Sequence, residues 1–272
     1  MKTAAVMLDD ADITYDETGH GSSGIVFVPG WCCSRDNFSD ILPILAARGW
    51  HAVAMDTVGF FGSTTSRDSF TIERAACDLV ALVSYLGLTE VVLAGHSGGG
   101  AIALEAAHRV RNADVVHVVG IDSLHYLNRY PKQDDAAIEA TVASMACDRR
   151  AAVEATVHGY WAGNDDRGLI EDTIRQMSSP PQASAIPLFR SVLAWDLDAA
   201  LSKSPCPVTV LAAATLLEQA AVDRYGERMS IVPVDLGGHF FLRQQPQATA
   251  ALILQTVGER PQTKPQKKEG QG

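Results

Sequence analysis

Along the chain, short runs dense in β-branched and apolar residues alternate with longer stretches whose apolar residues recur every three or four positions. That alternation predicts successive βαβ units. An opening hairpin is expected near Val6 to Tyr15, followed by strands over 25–28, 51–56, 91–94, 115–121, 208–212 and 230–234. Several of these runs, VVLA at 91–94 among them, are apolar at every position, as strands of a mainly parallel sheet buried on both faces should be. Helical spacing between them places crossover helices over 38–48, 72–86, 99–111 and 246–257. Between Ser123 and about Asp196 the strand pattern stops, and four helices are expected over 134–146, 150–161, 168–177 and 184–195, with Pro180-Pro181 separating the last two. The pattern therefore divides the chain into an α/β core, 1–122 and 197–257, and a helical insertion, 123–196, that would form a lid. Residues 258–272 carry almost no apolar side chain and read as a disordered tail.

A chain of 272 residues can bury one large core. No apolar run approaches the roughly eighteen residues of a membrane span, and the first residues lack the basic-then-apolar order of a secretion signal. A soluble, cytoplasmic protein without a membrane partner is expected. The formal net charge of −10 disfavours nucleic acid, because the one basic cluster, Lys264 to Lys268, lies in the polar tail. Cys32, Cys33, Cys77, Cys147 and Cys206 form an odd set without metal-type spacing, which suits free thiols. Neither a metal nor a cofactor is implied. A homodimer is compatible with the sequence.

The strongest local signal is Gly95-His96-Ser97-Gly98-Gly99, which follows the strand VVLA directly and precedes a helix. This is a G-x-S-x-G elbow in its strand–turn–helix context. So tight a turn needs residues without bulk two positions either side of Ser97, and glycine stands at both. The turn also sets Ser97 at a helix N-terminus, where the Gly98 N–H and the helix dipole favour a developing oxyanion. The bland alternative is a glycine-rich turn without chemistry. A serine hydroxyl needs a neighbouring base, and among eight histidines His239 lies after the last predicted strand, at the same sheet edge as the elbow. His125 is the second candidate. His96 reads as structural, and His20, His51, His108, His117 and His158 read as surface or packing residues.

Strand order, elbow, late Gly-His and helical insertion together resemble the α/β-hydrolase superfamily over nearly the whole chain. In that superfamily a second oxyanion donor comes from the loop after the third strand, here Val28-Pro29-Gly30-Trp31, so the resemblance implies the Trp31 N–H. The family's usual His in this loop is replaced by Pro29. The acid that orients the histidine usually follows the penultimate strand, but here that strand runs into Ala212-Ala213-Ala214-Thr215, and the nearest carboxylate is the displaced Glu218. A subset carries the acid after the sixth strand instead, which implies Asp122. An N-cap for the first insertion helix is the competing role for Asp122.

That subset includes esterases, lactonases, amide- and C–C-cleaving enzymes and cofactor-free ring-cleaving dioxygenases. The dioxygenases place histidines where this chain has Cys33 and Gly98, so hydrolysis of a carboxylic ester or lactone is the expected reaction. A ligand receptor of the same fold with slow turnover is the reading from another class. Aromatic and apolar residues in the insertion, with Trp31, suggest a pocket for a hydrophobic, aromatic or macrocyclic small molecule. Trp31, Trp161, Phe189 and His125 are the expected substrate contacts.

Overall fold

Each strand of the sheet sends alternate side chains to opposite faces, and the two sets build two separate cores. The computed structural model describes residues 1–8, 10–161 and 166–260. Among the described residues nine strands form, β1 (Lys2–Leu8), β2 (Ala11–Thr18), β3 (Ser23–Val28), β4 (His51–Met55), β5 (Thr64–Thr65), β6 (Glu90–His96), β7 (Asp114–Ile121), β8 (Val208–Ala213) and β9 (Ser230–Val234). The order across the sheet is β1-β2-β4-β3-β6-β7-β8-β9, with β5 paired to β2. β1 and β2 are antiparallel to their neighbours, and the strands from β4 to β9 along that path are mutually parallel. Because the short β5 enters the count, the sixth predicted strand is β7.

Val26, Val53, Val91, Leu93 and Val118 face the core shared with α2 (Ile72–Tyr85) and α3 (Gly98–Ala107), whereas Ile25, Phe27, Ala52, Ala54, Val92 and Val119 face the core shared with α1 (Leu42–Ala46) and α11 (Pro246–Val257). Both faces are thus covered, which explains why these strands are apolar throughout. Parallel strands also end together. The carboxyl ends of β3, β6 and β7 stand in register, with Val28 opposite Gly95 and His96 opposite Ile121, so the loops after them meet at one sheet edge.

Between β7 and β8 run α4 (Asp135–Cys147), α5 (Arg149–Gly159), α6 (Arg167–Ser178) and α7 (Gln182–Ala194). Side chains of Asp134, Asp148 and Asp166 accept from the first-turn amides of α4, α5 and α6, which fixes where each helix starts. Contacts tie this layer to the sheet edge. Ser184 Oγ donates to Gly59 O at 2.9 Å, Trp31 Nε1 to Ala185 O at 2.7 Å and the His239 amide to Tyr160 O at 2.9 Å.

Three expectations differ from what is observed. The helix expected over 38–48 is a 3-10 turn, Arg35–Phe38, followed by the shorter α1. Pro43 sits in the first turn of α1, where its missing N–H costs nothing, but it cannot continue a helix begun five residues earlier. The short α8 (Leu197–Lys203), α9 (Gln219–Tyr225) and α10 (Phe241–Gln244) were too brief for periodicity to reveal. The expected tail begins ordered: Trp50 Nε1 donates to Gly258 O at 2.9 Å, and the Arg260 guanidinium lies 4.2 Å over the Trp50 ring. Arg260 also bonds Glu90. Residues 261–272 of that tail lie outside the described residues. No described helix is long and apolar enough to cross a membrane.

Candidate active site

At the end of β6 the chain turns into α3 through Ser97, whose φ of 52° and ψ of −126° are a strained conformation for a residue with a side chain. The glycines on either side make the turn possible. A Cβ on Gly95 would lie 2.2 Å from Gly99 C, and one on Gly99 would lie 2.3 Å from Val28 O. Both clashes are with backbone, which cannot swing aside. Gly99→Ala is therefore expected to cost about 3 kcal/mol through overpacking, roughly 10 °C in melting temperature for a domain of this size. Unchanged melting by calorimetry would contradict this account of the turn. Ser123 Oγ, which donates to Ser97 O, braces the elbow from the loop after β7.

Gly98 opens α3, so its N–H has no intrahelical acceptor. A Cβ built on Gly98 would lie only 3.6 Å from Trp31 N, so the Trp31 backbone packs against the residue that follows Ser97. Among the described residues Trp31 N–H meets no acceptor. A free donor at the N-terminus of α3 and a second in the loop after β3 suit a negative oxygen.

Asp122 follows β7 with φ 43°, and its backbone N–H donates to Leu211 O at 2.7 Å. Its Oδ1 accepts from Ala213 N–H at 2.7 Å, and its Oδ2 from His239 Nδ1–H at 2.5 Å. The Tyr126 hydroxyl donates to the same Oδ2 and lies 3.1 Å from His239 Nδ1. Burial alone would raise the Asp122 carboxyl, but the hydrogen bond and charge of His239, with smaller help from His125 and Tyr126, outweigh it and hold the group below the ordinary range. Asp122 caps no helix; that role at the start of α4 belongs to Asp134. Glu218 is exposed at the start of α9 and bonds to neither His239 nor Asp122 among the described residues.

His96 is buried beneath this pair. Burial, then the neighbouring His239, push its pKa down to about 3, so it is neutral, and Nε2–H donates to His239 O at 3.0 Å. It pins the loop that carries His239. The ring of Tyr160 lies 4.7 Å from that of His239 on another side. Side-chain orientation here depends on the sheet and the helical layer alike.

Ser97, Gly98, Trp31 and His239 line one cleft with about 670 Å³ of atom-free space, part of it continuous with solvent. Phe189, an expected contact, lines it too, its ring 5.1 Å from that of Trp31. Two expected contacts do not. Trp161 stacks on Phe240 at 5.3 Å and is not a lining residue, because α5 stops at Gly159 and Tyr160 takes the cavity-facing position. His125 is buried behind the wall, with Nδ1–H donating to Ser123 O at 3.1 Å and Nε2 3.6 Å from Asp122 Oδ1. Tyr126, Arg129, Thr156, Val157 and Val192 also line the cleft and carried no signal in the sequence. Cys33 lines it as well, but burial pushes its thiol up to about 12, which removes it as a competing nucleophile. Among the described residues no group of His, Cys, Asp and Glu is arranged to hold a metal ion.

A family model described as the alpha/beta hydrolase family matches residues 25–252, most of the chain and every parallel strand except the first residues of β3. The chain belongs to the alpha/beta hydrolase family. Among the relatives of this family member, a non-heme haloperoxidase of Rhodococcus erythropolis is 34% identical over 116 residues, 41% of this chain and 42% of the relative. A bifunctional esterase/perhydrolase of Acinetobacter calcoaceticus is 33% identical over 118 residues, 43% of this chain and 42% of the relative. The matched regions thus span about two fifths of those relatives. A bromoperoxidase from Bacillus anthracis superposes with a TM-score of 0.80 at 18% identity, covering 95% of this chain and 100% of its own, a likeness of fold alone.

Proposed function

We propose that this alpha/beta hydrolase family member is a serine hydrolase that cleaves a carboxylic ester or lactone of a hydrophobic small molecule through an acyl-enzyme. The observation that carries the reading is the 2.5 Å bond between His239 Nδ1 and Asp122 Oδ2 at the wall of the cleft that Ser97 enters. Because the carboxylate accepts a hydrogen bond from Nδ1–H, His239 keeps Nε2 free as the base. Ser97 Oγ attacks the carbonyl as Nε2 accepts its proton, and the Gly98 and Trp31 amides receive the oxyanion. His239 then returns the proton to the leaving alkoxide, which remains tethered when the substrate is a lactone. Water activated by the same nitrogen releases the acid and restores Ser97.

No hydrogen bond joins Ser97 Oγ to His239 among the described residues, and nucleophile–base bonds commonly tighten only around the bound substrate. Trp31, Met177, Phe189, Val192 and Phe240 supply the apolar lining that favours a hydrophobic substrate. The esterase named among the relatives supports the same bond type.

A fluorophosphonate probe tests the reading directly, since it phosphonylates an activated nucleophile, serine above all. Ser97 is expected to carry the label, found by peptide mass spectrometry, and His239→Ala is expected to abolish fast labelling. Label on Cys32 or Cys33, with Ser97 untouched, would move the nucleophile.

A further inference from the structure

Within the cleft, one lining group carries a permanent charge that nothing in the proposed reaction uses. Arg129 lies on the loop between β7 and α4 and shares the cleft with Ser97 and His239, while among the described residues no aspartate or glutamate lines it. Among the described residues its guanidinium forms neither an ion pair nor a side-chain hydrogen bond. The half-buried Arg35, Arg67 and Arg243, by contrast, each meet a carboxylate, of Asp56, Asp78 and Asp172 respectively. Of the carboxylates flanking Arg129 in sequence, Asp122 has both oxygens engaged by Ala213, His239 and Tyr126, and Asp134 accepts from the Ala137 amide at the start of α4.

The loop holds Arg129 in place. Its amide donates to Tyr126 O at 3.0 Å, and its Cζ lies 5.5 Å from the centroid of the Phe189 ring. Phe189 in turn packs against Trp31, whose backbone lies against Gly98. The charge therefore stands two ring contacts from the backbone beside Ser97. A guanidinium stays charged at any physiological pH, and stacking one face on an aromatic ring leaves its N–H edge open to a ligand. Facing an apolar cleft, that charge has no counter-charge among the described residues, and a ligand can bring one. A single fork of donors matches one carboxylate in geometry and in charge.

We infer that Arg129 is an anion-recognition residue and that the substrate is an ester or lactone bearing a carboxylate on the side away from the bond cleaved. This inference rests on the proposed hydrolysis only for the identity of that bond. The two parts separate experimentally.

Binding is measured by calorimetry with two amides that resist turnover, the monoanilide of glutaric acid, which is anionic, and the neutral anilide of pentanoic acid. The native protein is expected to bind the anionic amide at least tenfold more tightly, a preference that Arg129→Gln removes and Arg129→Lys partly keeps. Turnover is measured with the 4-nitrophenyl esters of the same two acids. Arg129→Gln is expected to lower kcat/KM about a hundredfold on the anionic ester and less than threefold on the neutral one, with unchanged melting. Equal binding of the two amides, or a preference that survives Arg129→Gln, overturns the anion site whatever the esters do. An Arg129-dependent preference without cleavage of either ester leaves the anion site standing and sinks the hydrolase reading. Should Arg129→Gln not fold, loss of the preference in 0.5 M NaCl compared with 0.02 M, on the native protein, serves as the readout, and a salt-independent preference counts against the inference.

Discussion

Ser97→Ala and His239→Ala are each expected to lower turnover of an aryl ester by about 10⁶, with the double variant little worse than either. The two side chains act as one device: without the imidazole the hydroxyl stays protonated, and without the hydroxyl the imidazole has nothing to activate. What survives is the help given by the amides of Gly98 and Trp31 and by binding in the cleft, which neither substitution touches. Neither variant should lose its fold. Ser97 is half-buried at a turn already strained to φ 52°, and alanine keeps its Cβ while removing only the hydroxyl. His239 is more embedded, since its amide, carbonyl and ring all have partners, so its melting temperature is to be checked beside its rate. The measurement is pre-steady-state product formation at protein concentrations set by absorbance, with the fluorophosphonate used to count active sites in the native protein only. Ser97→Ala retaining more than a tenth of the native rate would rule out covalent catalysis by this serine.

The elbow was legible in the sequence because the constraint that creates it is local. Two backbone clashes, at Gly95 and Gly99, dictate glycine, and the strand VVLA before it is buried on both faces. The parallel sheet was legible for the same reason, since each strand must satisfy both cores at once. Asp122 was reachable only through the resemblance, because a single acid at a strand end looks the same whether it caps a helix or meets a histidine 117 residues away. The wall of the cleft was largely hidden. Tyr126 and Arg129 lie in a loop, 122–134, that has neither a strand nor a helix period to say which side faces inward. Trp161 was misplaced by a boundary: a helix over 150–161 would include it, but α5 ends at Gly159, and the exchange of Trp161 for Tyr160 follows from those two residues. Positions that depend on how two layers meet leave little trace in either layer's own pattern.

Asp122→Asn should test the orienting role that its bond to His239 supports, because it keeps the size and shape of the side chain and removes its charge. Turnover is expected to fall by about 10⁴, the size of the equivalent loss in the serine-protease template. The reason lies in the hydrogens. Asp122 Oδ2 now accepts from both His239 Nδ1 and the Tyr126 hydroxyl, and Oδ1 accepts from Ala213 N–H. An amide has only one oxygen to accept with. If that oxygen stays on Ala213 N–H, the NH₂ faces Nδ1 and draws the imidazole into the tautomer with its proton on Nε2, which can no longer serve as a base. Even with the correct tautomer, no negative charge would stabilise the imidazolium. Glu218→Gln, by comparison, should be nearly silent, since Glu218 is exposed and unconnected to His239 among the described residues. Turnover and melting temperature measured on both variants decide which carboxylate orients His239. A stable Asp122→Asn protein with near-native turnover, beside an inactive Glu218→Gln, would transfer the orienting role to Glu218 and require α9 to move toward His239 when substrate binds.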